Sequence, residues 1–177
     1  MVDAPAPAPP DAPAASLLPP PLVLTERDPW LEPVPPELAR FRERVARGET
    51  LGRGARATLR QVAHDHPGDP RAFLLMGHSD VREHHYNDAM DHYETAMTVN
   101  EMARHDPEMI ERLVTMSGST DPDARRRARR TVLRLYGRDA LPVLRRIRVD
   151  VEDSETIGYL DELEEALDAL PAEAVAP

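Results

Sequence analysis

PRAFLLMGHSDVREHHYNDAMDHYETAMTVNE, residues 70–101, is the stretch that decides the fold. Phe73 and Gly77 lie one helical turn apart in its first half. Ala89, Tyr93 and Ala96 follow at spacings of four and three in its second half. Such spacings place each set on one face of an α-helix. Gly77 and Ala89 are small, so two helices can approach closely where they meet. The larger Phe73 and Tyr93 are expected to fill the space beside that contact, and Ala96 to admit a further helix. Pro70 suits a first helical turn. The segment is therefore expected to be a tight pair of helices with a turn before Tyr86.

This alternation of small and large residues resembles the tetratricopeptide repeat, a 34-residue helix–turn–helix unit. Tyr86-Asn87-Asp88-Ala89 resembles the family's entry into its second helix. Asp80 stands where the family favours tyrosine, and Glu101 where it favours proline. Thirty-four residues earlier, Ala55, Leu59, Val62 and Pro67 keep the classes of Ala89, Tyr93, Ala96 and the family's closing proline. The first helix of that earlier unit does not, because Glu43 and Ala39 replace the classes of Gly77 and Phe73. In such repeats the first helix lines a concave binding face. The resemblance thus implies that Arg71, Leu74, His78, Val81 and Arg82 hold a partner, with the three basic residues suited to an acidic segment.

Outward from this segment the same period recurs. Leu38, Phe41 and Val45 predict a helix after Pro36 that ends near Gly48. Leu51, Ala55, Leu59 and Val62 predict the next, which stops before Pro67-Gly68. Asp106-Pro107 and Asp121-Pro122 open two more helices, carrying Met109, Ile110, Leu113 and Val114, then Ala124, Ala128, Val132 and Leu135. Ala140, Leu141, Leu144 and Ile147 suggest a seventh helix, and Ile157, Leu160, Leu163, Leu167 and Leu170 an eighth. Ile147–Val151 is the best strand candidate, and it is read as a helix end and a loop. The expected fold is all-α: a short right-handed α-solenoid of antiparallel helix pairs. The stretch from Asp121 to Arg148 resembles a HEAT-type pair. The order of elements along the chain resembles the C-terminal helical extension of some bacterial serine/threonine protein kinases, whose catalytic motifs are not in this sequence.

Residues 1–36 hold 12 of the 19 prolines. Proline removes backbone donors and fixes φ, so this stretch is expected to be a disordered tail or linker. Residues 37–172 form the helical domain and 173–177 a short tail. Within the first stretch Trp30 and Leu31 are candidates to dock on the helices, since one tryptophan buries roughly 150–250 Å². Met1-Val2-Asp3 lacks the charge of a signal peptide. The longest early apolar run, Leu17–Leu24, is cut by Pro19, Pro20 and Pro21, so no membrane partner and a cytoplasmic location are expected.

Composition removes several chemistries. The chain has no cysteine, and all 22 basic residues are arginine. A thiolate metal site, a cysteine nucleophile and a lysine-dependent phosphate or Schiff-base site are absent from this sequence. His85, Asp88 and His92 share a helical spacing that suits a metal. The helix is expected to start near Tyr86, however, and no recognised metal signature accompanies them. No metal or other cofactor is expected. No nucleophile elbow or paired-carboxylate motif is evident, and the chain is expected not to be an enzyme.

The strongest charge signal is Arg125, Arg126, Arg127, Arg129 and Arg130. Residues 121–149 hold ten arginines and three acids, a balance of +7; residues 150–177 hold ten acids and no base, −10. The two blocks are expected to pair within one fold, the final helix packing near the arginines. The leading functional expectation is a non-catalytic protein-interaction or regulatory scaffold that binds a protein or peptide. The alternative is a nucleic-acid adaptor acting through the Arg-rich helix 124–136. The net charge of −10 and the scarcity of aromatics weigh against that alternative.

Overall fold

A computed structural model describes residues 28–171. It contains α1 (Pro36–Ala46), α2 (Arg53–Asp65), α3 (Arg71–Arg82), α4 (Tyr86–Val99), α5 (Pro107–Ser117), α6 (Pro122–Leu135), α7 (Leu141–Val149) and α8 (Ser154–Asp168). Short 3-10 turns at Glu101–His105 and Gly137–Ala140 lead into α5 and α7. The described residues contain no strand, so the chain is all-α over this range. Ile147–Val151 is the end of α7 and a loop. The expected tail at residues 1 to about 20 lies outside the described residues. None of the helices among the described residues is long and apolar enough to cross a membrane.

Local chemistry explains where the helices begin. Asp106 Oδ1 accepts from the backbone N–H groups of Glu108 and Met109, and Asp121 Oδ1 from those of Asp123 and Ala124. Asp153 caps α8 through the Thr156 N–H. Each cap satisfies donors that the first helical turn leaves free. Pro107 and Pro122 fill first-turn positions where no N–H is needed. Gly48, at φ +84°, ends the first helical run in a conformation that side chains disfavour. The 3-10 turn after α4 was not visible as periodicity; it is five residues long and capped by the Asn100 side chain.

The centre of the molecule is α3. Ten of its twelve residues are buried, polar ones included. It packs most extensively on α4 and also touches α1, α2 and α5. The side chain nearest Gly77 is Tyr93, expected beside the contact, and not the expected Ala89: a Cβ at Gly77 would stand 2.6 Å from Tyr93 Cε1 and 2.8 Å from Cδ1. The Tyr93 ring thus lies directly on the bare Gly77 backbone. Phe73 plays a smaller part than expected, since it is only partly buried, with its ring 6.4 Å from that of His92.

The second half of the core is built on α5, which packs on α6, α7 and α8. Leu160, Leu163 and Leu167 of α8 are buried there. Of the two candidates in the proline-rich stretch, Trp30 docks and joins the core, while Leu31 points away and is 58% exposed. Asp28 Oδ1 accepts from the Trp30 N–H and closes the turn that aims the indole inward.

Candidate functional site

The α3 face read as a binding surface is turned into this chain: the N-terminal segment lies over Arg71, and α1 and α2 also pack on α3. Arg71 donates to both Asp69 oxygens through Nε, at 2.9 and 3.0 Å, and through Nη2 to Oδ2 at 2.7 Å. Its Nη1 points to the carbonyls of Pro29, Glu32 and Pro33 at 3.5, 3.3 and 3.2 Å. One buried guanidinium therefore gathers three carbonyls of an extended segment. Leu74 and Val81 are core residues, and Ser79 Oγ accepts from the Leu51 N–H at 2.8 Å. Arg82 is half-buried against Gly48, and its Nε has no hydrogen-bond partner among the described residues.

His78 is the hub beneath this segment. Its Nδ1 lies 2.8 Å from Tyr93 Oη and its Nε2 3.1 Å from Asp106 Oδ2. The same Asp106 oxygen accepts from Trp30 Nε1 at 3.1 Å. Burial pushes the Tyr93 phenol well above its usual range, and the charge of Asp106 adds to this, so the phenol keeps its proton. His78 Nε2 faces the Asp106 carboxylate and Nδ1 the Tyr93 hydroxyl, so each of these polar atoms has a partner. Burial alone would raise the Asp106 carboxyl. The opposing His78 charge and hydrogen bond, with those from Trp30 and the Glu108 N–H, hold it below the ordinary carboxylate range. Tyr93, His78 and Asp106 line up as a hydroxyl–imidazole–carboxylate chain. All three are buried, so the chain fastens elements together.

Histidines and acids also gather at the α3–α4 turn, in a grouping different from the expected one. His92 Nε2 sits 3.4 Å from Asp80 Oδ2, and His85 Nδ1 3.5 Å from Glu83 Oε2. Asp88 is exposed and takes no part in the group formed by Asp80, Glu83 and His85. Burial raises the Asp80 carboxyl against the opposing pull of Arg56. Burial also lowers the His92 imidazole despite the Asp80 charge. Asp80, in the sequence only a departure from the repeat pattern, is the centre of this group.

The basic helix meets acids on both sides. Arg127 binds Asp91 at 2.6 Å and Glu94 at 3.0 Å on α4, and Arg129 binds Glu162 at 2.9 Å on α8. Arg126 pairs with Asp123, and Arg125 donates to the Ser119 carbonyl while its guanidinium stacks 3.6 Å from the Tyr159 ring centre. Beyond α6, Arg145 pairs with Glu164 and Arg148 with Asp161. Arg130 is exposed, with no ion-pair partner among the described residues. Arg125, Arg126, Arg129 and Arg130 line one open groove of about 420 Å³ with Pro122 and Leu133.

The chain matches no family model, no curated protein and no solved structure.

Exposed ion pairs are weak and salt-screened, so the Leu160, Leu163 and Leu167 stripe should supply most of the adhesion of α8. Replacing Asp161 and Glu162 with their amides, and Glu164 with Gln, should leave the chemical denaturation midpoint nearly unchanged. The same triple variant should be retained on a phosphate matrix and released by salt, unlike the wild type. Equal elution of the two proteins would show that these acids mask nothing.

Proposed function

We propose that this protein is a non-catalytic interaction module, built as a short tetratricopeptide-like solenoid of antiparallel helix pairs with a HEAT-like C-terminal end, that holds an extended polypeptide against α3. One observation carries the reading: the Arg71 guanidinium grips three successive-region carbonyls, of Pro29, Glu32 and Pro33, while Asp106 receives the Trp30 indole. Recognition of backbone carbonyls and one aromatic anchor is how a peptide of mixed sequence is held. In this conformation the ligand is the chain's own segment. A partner peptide with a similar aromatic anchor would compete for the same place, which makes the segment a natural regulator of binding.

The test uses a labelled peptide with the sequence of residues 25–36 and the full chain carrying Trp30→Ala. The variant should bind the peptide saturably, and wild type should not, because its own Trp30 already fills the site. Adding Arg71→Ala should abolish binding. A Trp30→Ala protein that stays folded and ignores the peptide would refute the reading.

The groove lined by Arg125, Arg126, Arg129 and Arg130 favours a second reading, phosphate-backbone binding by α6. Salt-dependent binding of wild type to RNA or DNA at physiological ionic strength would support it. The ion pairs from Asp91, Glu94, Asp123 and Glu162 oppose it.

A further inference from the structure

The α3–α4 turn carries a polar cluster separate from the Asp106 network. His84 has φ +60°, in the left-handed region that few residues other than glycine adopt. This conformation folds the chain back so that the His85 N–H donates to the Asp80 carbonyl at 2.9 Å. One oxygen each from Asp80 and Glu83 and one ring nitrogen of His85 then lie within 4.8 Å of one another. His92 arrives from α4, with Nε2 3.4 Å from Asp80 Oδ2.

Two features of this cluster point to a cation. Asp80 is 1% exposed, and its Oδ2 is buried with no hydrogen-bond partner among the described residues, although Oδ1 is held by Arg56 Nη1 at 2.5 Å. A buried acceptor without a donor is costly, and such an atom calls for a ligand. The second feature is spacing. The contacts Asp80 Oδ2–His92 Nε2 and Glu83 Oε2–His85 Nδ1, at 3.4 and 3.5 Å, lack hydrogen bonds. In a tetrahedral site with metal–ligand bonds of about 2.0–2.2 Å, neighbouring ligand atoms stand roughly 3.3–3.6 Å apart. The Glu83–His85 contact, between two members of the clustered group, has the length of a tetrahedron edge.

We propose that Asp80, Glu83 and His85 bind one divalent transition-metal ion of the zinc type, with solvent completing its coordination and His92 standing beside Asp80 Oδ2. One imidazole nitrogen and two carboxylate oxygens suit zinc, whereas calcium and magnesium prefer all-oxygen sites and copper(I) prefers sulfur. Arg56 acts as an outer partner. It holds Asp80 Oδ1 and, at 3.2 Å, Glu83 Oε1, which leaves the second oxygen of each acid for the ion. With Asp80 and Glu83 ionised and Arg56 protonated, the cluster carries −1 before the ion enters. The bound ion would staple the left-handed turn to the end of α3. This site is independent of the peptide-binding reading and shares no residue with it.

The full chain, stripped with a chelator and dialysed, is titrated with Co²⁺. One equivalent should produce the visible absorption of tetrahedral cobalt, and Zn²⁺ should displace it and raise the thermal midpoint. Asp80→Asn removes the central ligand but leaves Arg56 without its buried charge partner. His85→Gln is therefore the decisive variant, because His85 is exposed and its loss should spare the fold. It should weaken binding by at least the roughly 10- to 100-fold that losing even an outer partner costs. His64→Gln, at the exposed end of α2, should bind as wild type. Absence of the tetrahedral spectrum, its survival in His85→Gln, or an equal loss in His64→Gln would each overturn the proposal.

Discussion

Asp106→Ala is expected to lower the unfolding free energy by roughly 3–5 kcal/mol, the cost of breaking a buried charged pair from one side. Three groups lose their partner at once. His78 Nε2 and Trp30 Nε1 both rely on Oδ2, and the first turn of α5 relies on Oδ1. The cap alone is worth about 1 kcal/mol. Trp30 is the only tryptophan, so its emission reports the docking of the N-terminal segment without a label. In the variant that emission should move to the red at denaturant concentrations where the helices still hold. A loss below about 1 kcal/mol, the scale of one ordinary hydrogen bond, would contradict this. So would emission that stays that of a buried indole.

The same carboxylate gives the pH dependence its sign. Its folded pKa lies below the unfolded value, so its stabilisation is fully present above the ordinary carboxylate range. That stabilisation fades as pH falls through the folded pKa. Acid should therefore release Trp30. In Asp106→Asn this limb of the stability profile should flatten, because the group no longer titrates.

The helices were legible in the sequence because each carries its own signals. Asp-Pro pairs at 106–107 and 121–122 mark two starts, Gly48 marks an end, and apolar residues keep the 3.6-residue period between them. The Asp106 network was not legible, for a physical reason. Trp30 and Asp106 are 76 positions apart, and His78 and Asp106 are 28. Locally, Asp106 needs no role beyond capping, His78 none beyond a helix face, and Trp30 stands in a proline-rich stretch. Periodicity reveals one apolar stripe per helix. A helix with neighbours on several sides, as α3 has, buries polar residues that the same pattern assigns to solvent. That is why Arg71 and His78 read as an open face and are found beneath the N-terminal segment. Asp80 escaped notice similarly, since its partners Arg56 and His92 come from α2 and α4.

Gly77→Ala separates packing from propensity. In an exposed helix, alanine in place of glycine gains about 0.8–1.0 kcal/mol. Here the added Cβ would meet Tyr93 Cε1 at 2.6 Å, well inside ordinary contact. The ring cannot simply swing aside, because its hydroxyl is tied to His78 Nδ1 and its surroundings are fully buried. Overpacking of this kind costs roughly 1–3 kcal/mol, so it outweighs the propensity gain and the variant should be less stable than wild type. Gly77→Val should be worse still, since it adds two more methyl groups and little helical preference. Gly77→Ala in a Tyr93→Leu background should recover much of the loss, because the flat ring edge is gone. If Gly77→Ala instead stabilises wild type by about 1 kcal/mol, as propensity alone requires, then α3 and α4 are not as close at this level as the Gly77–Tyr93 contact demands.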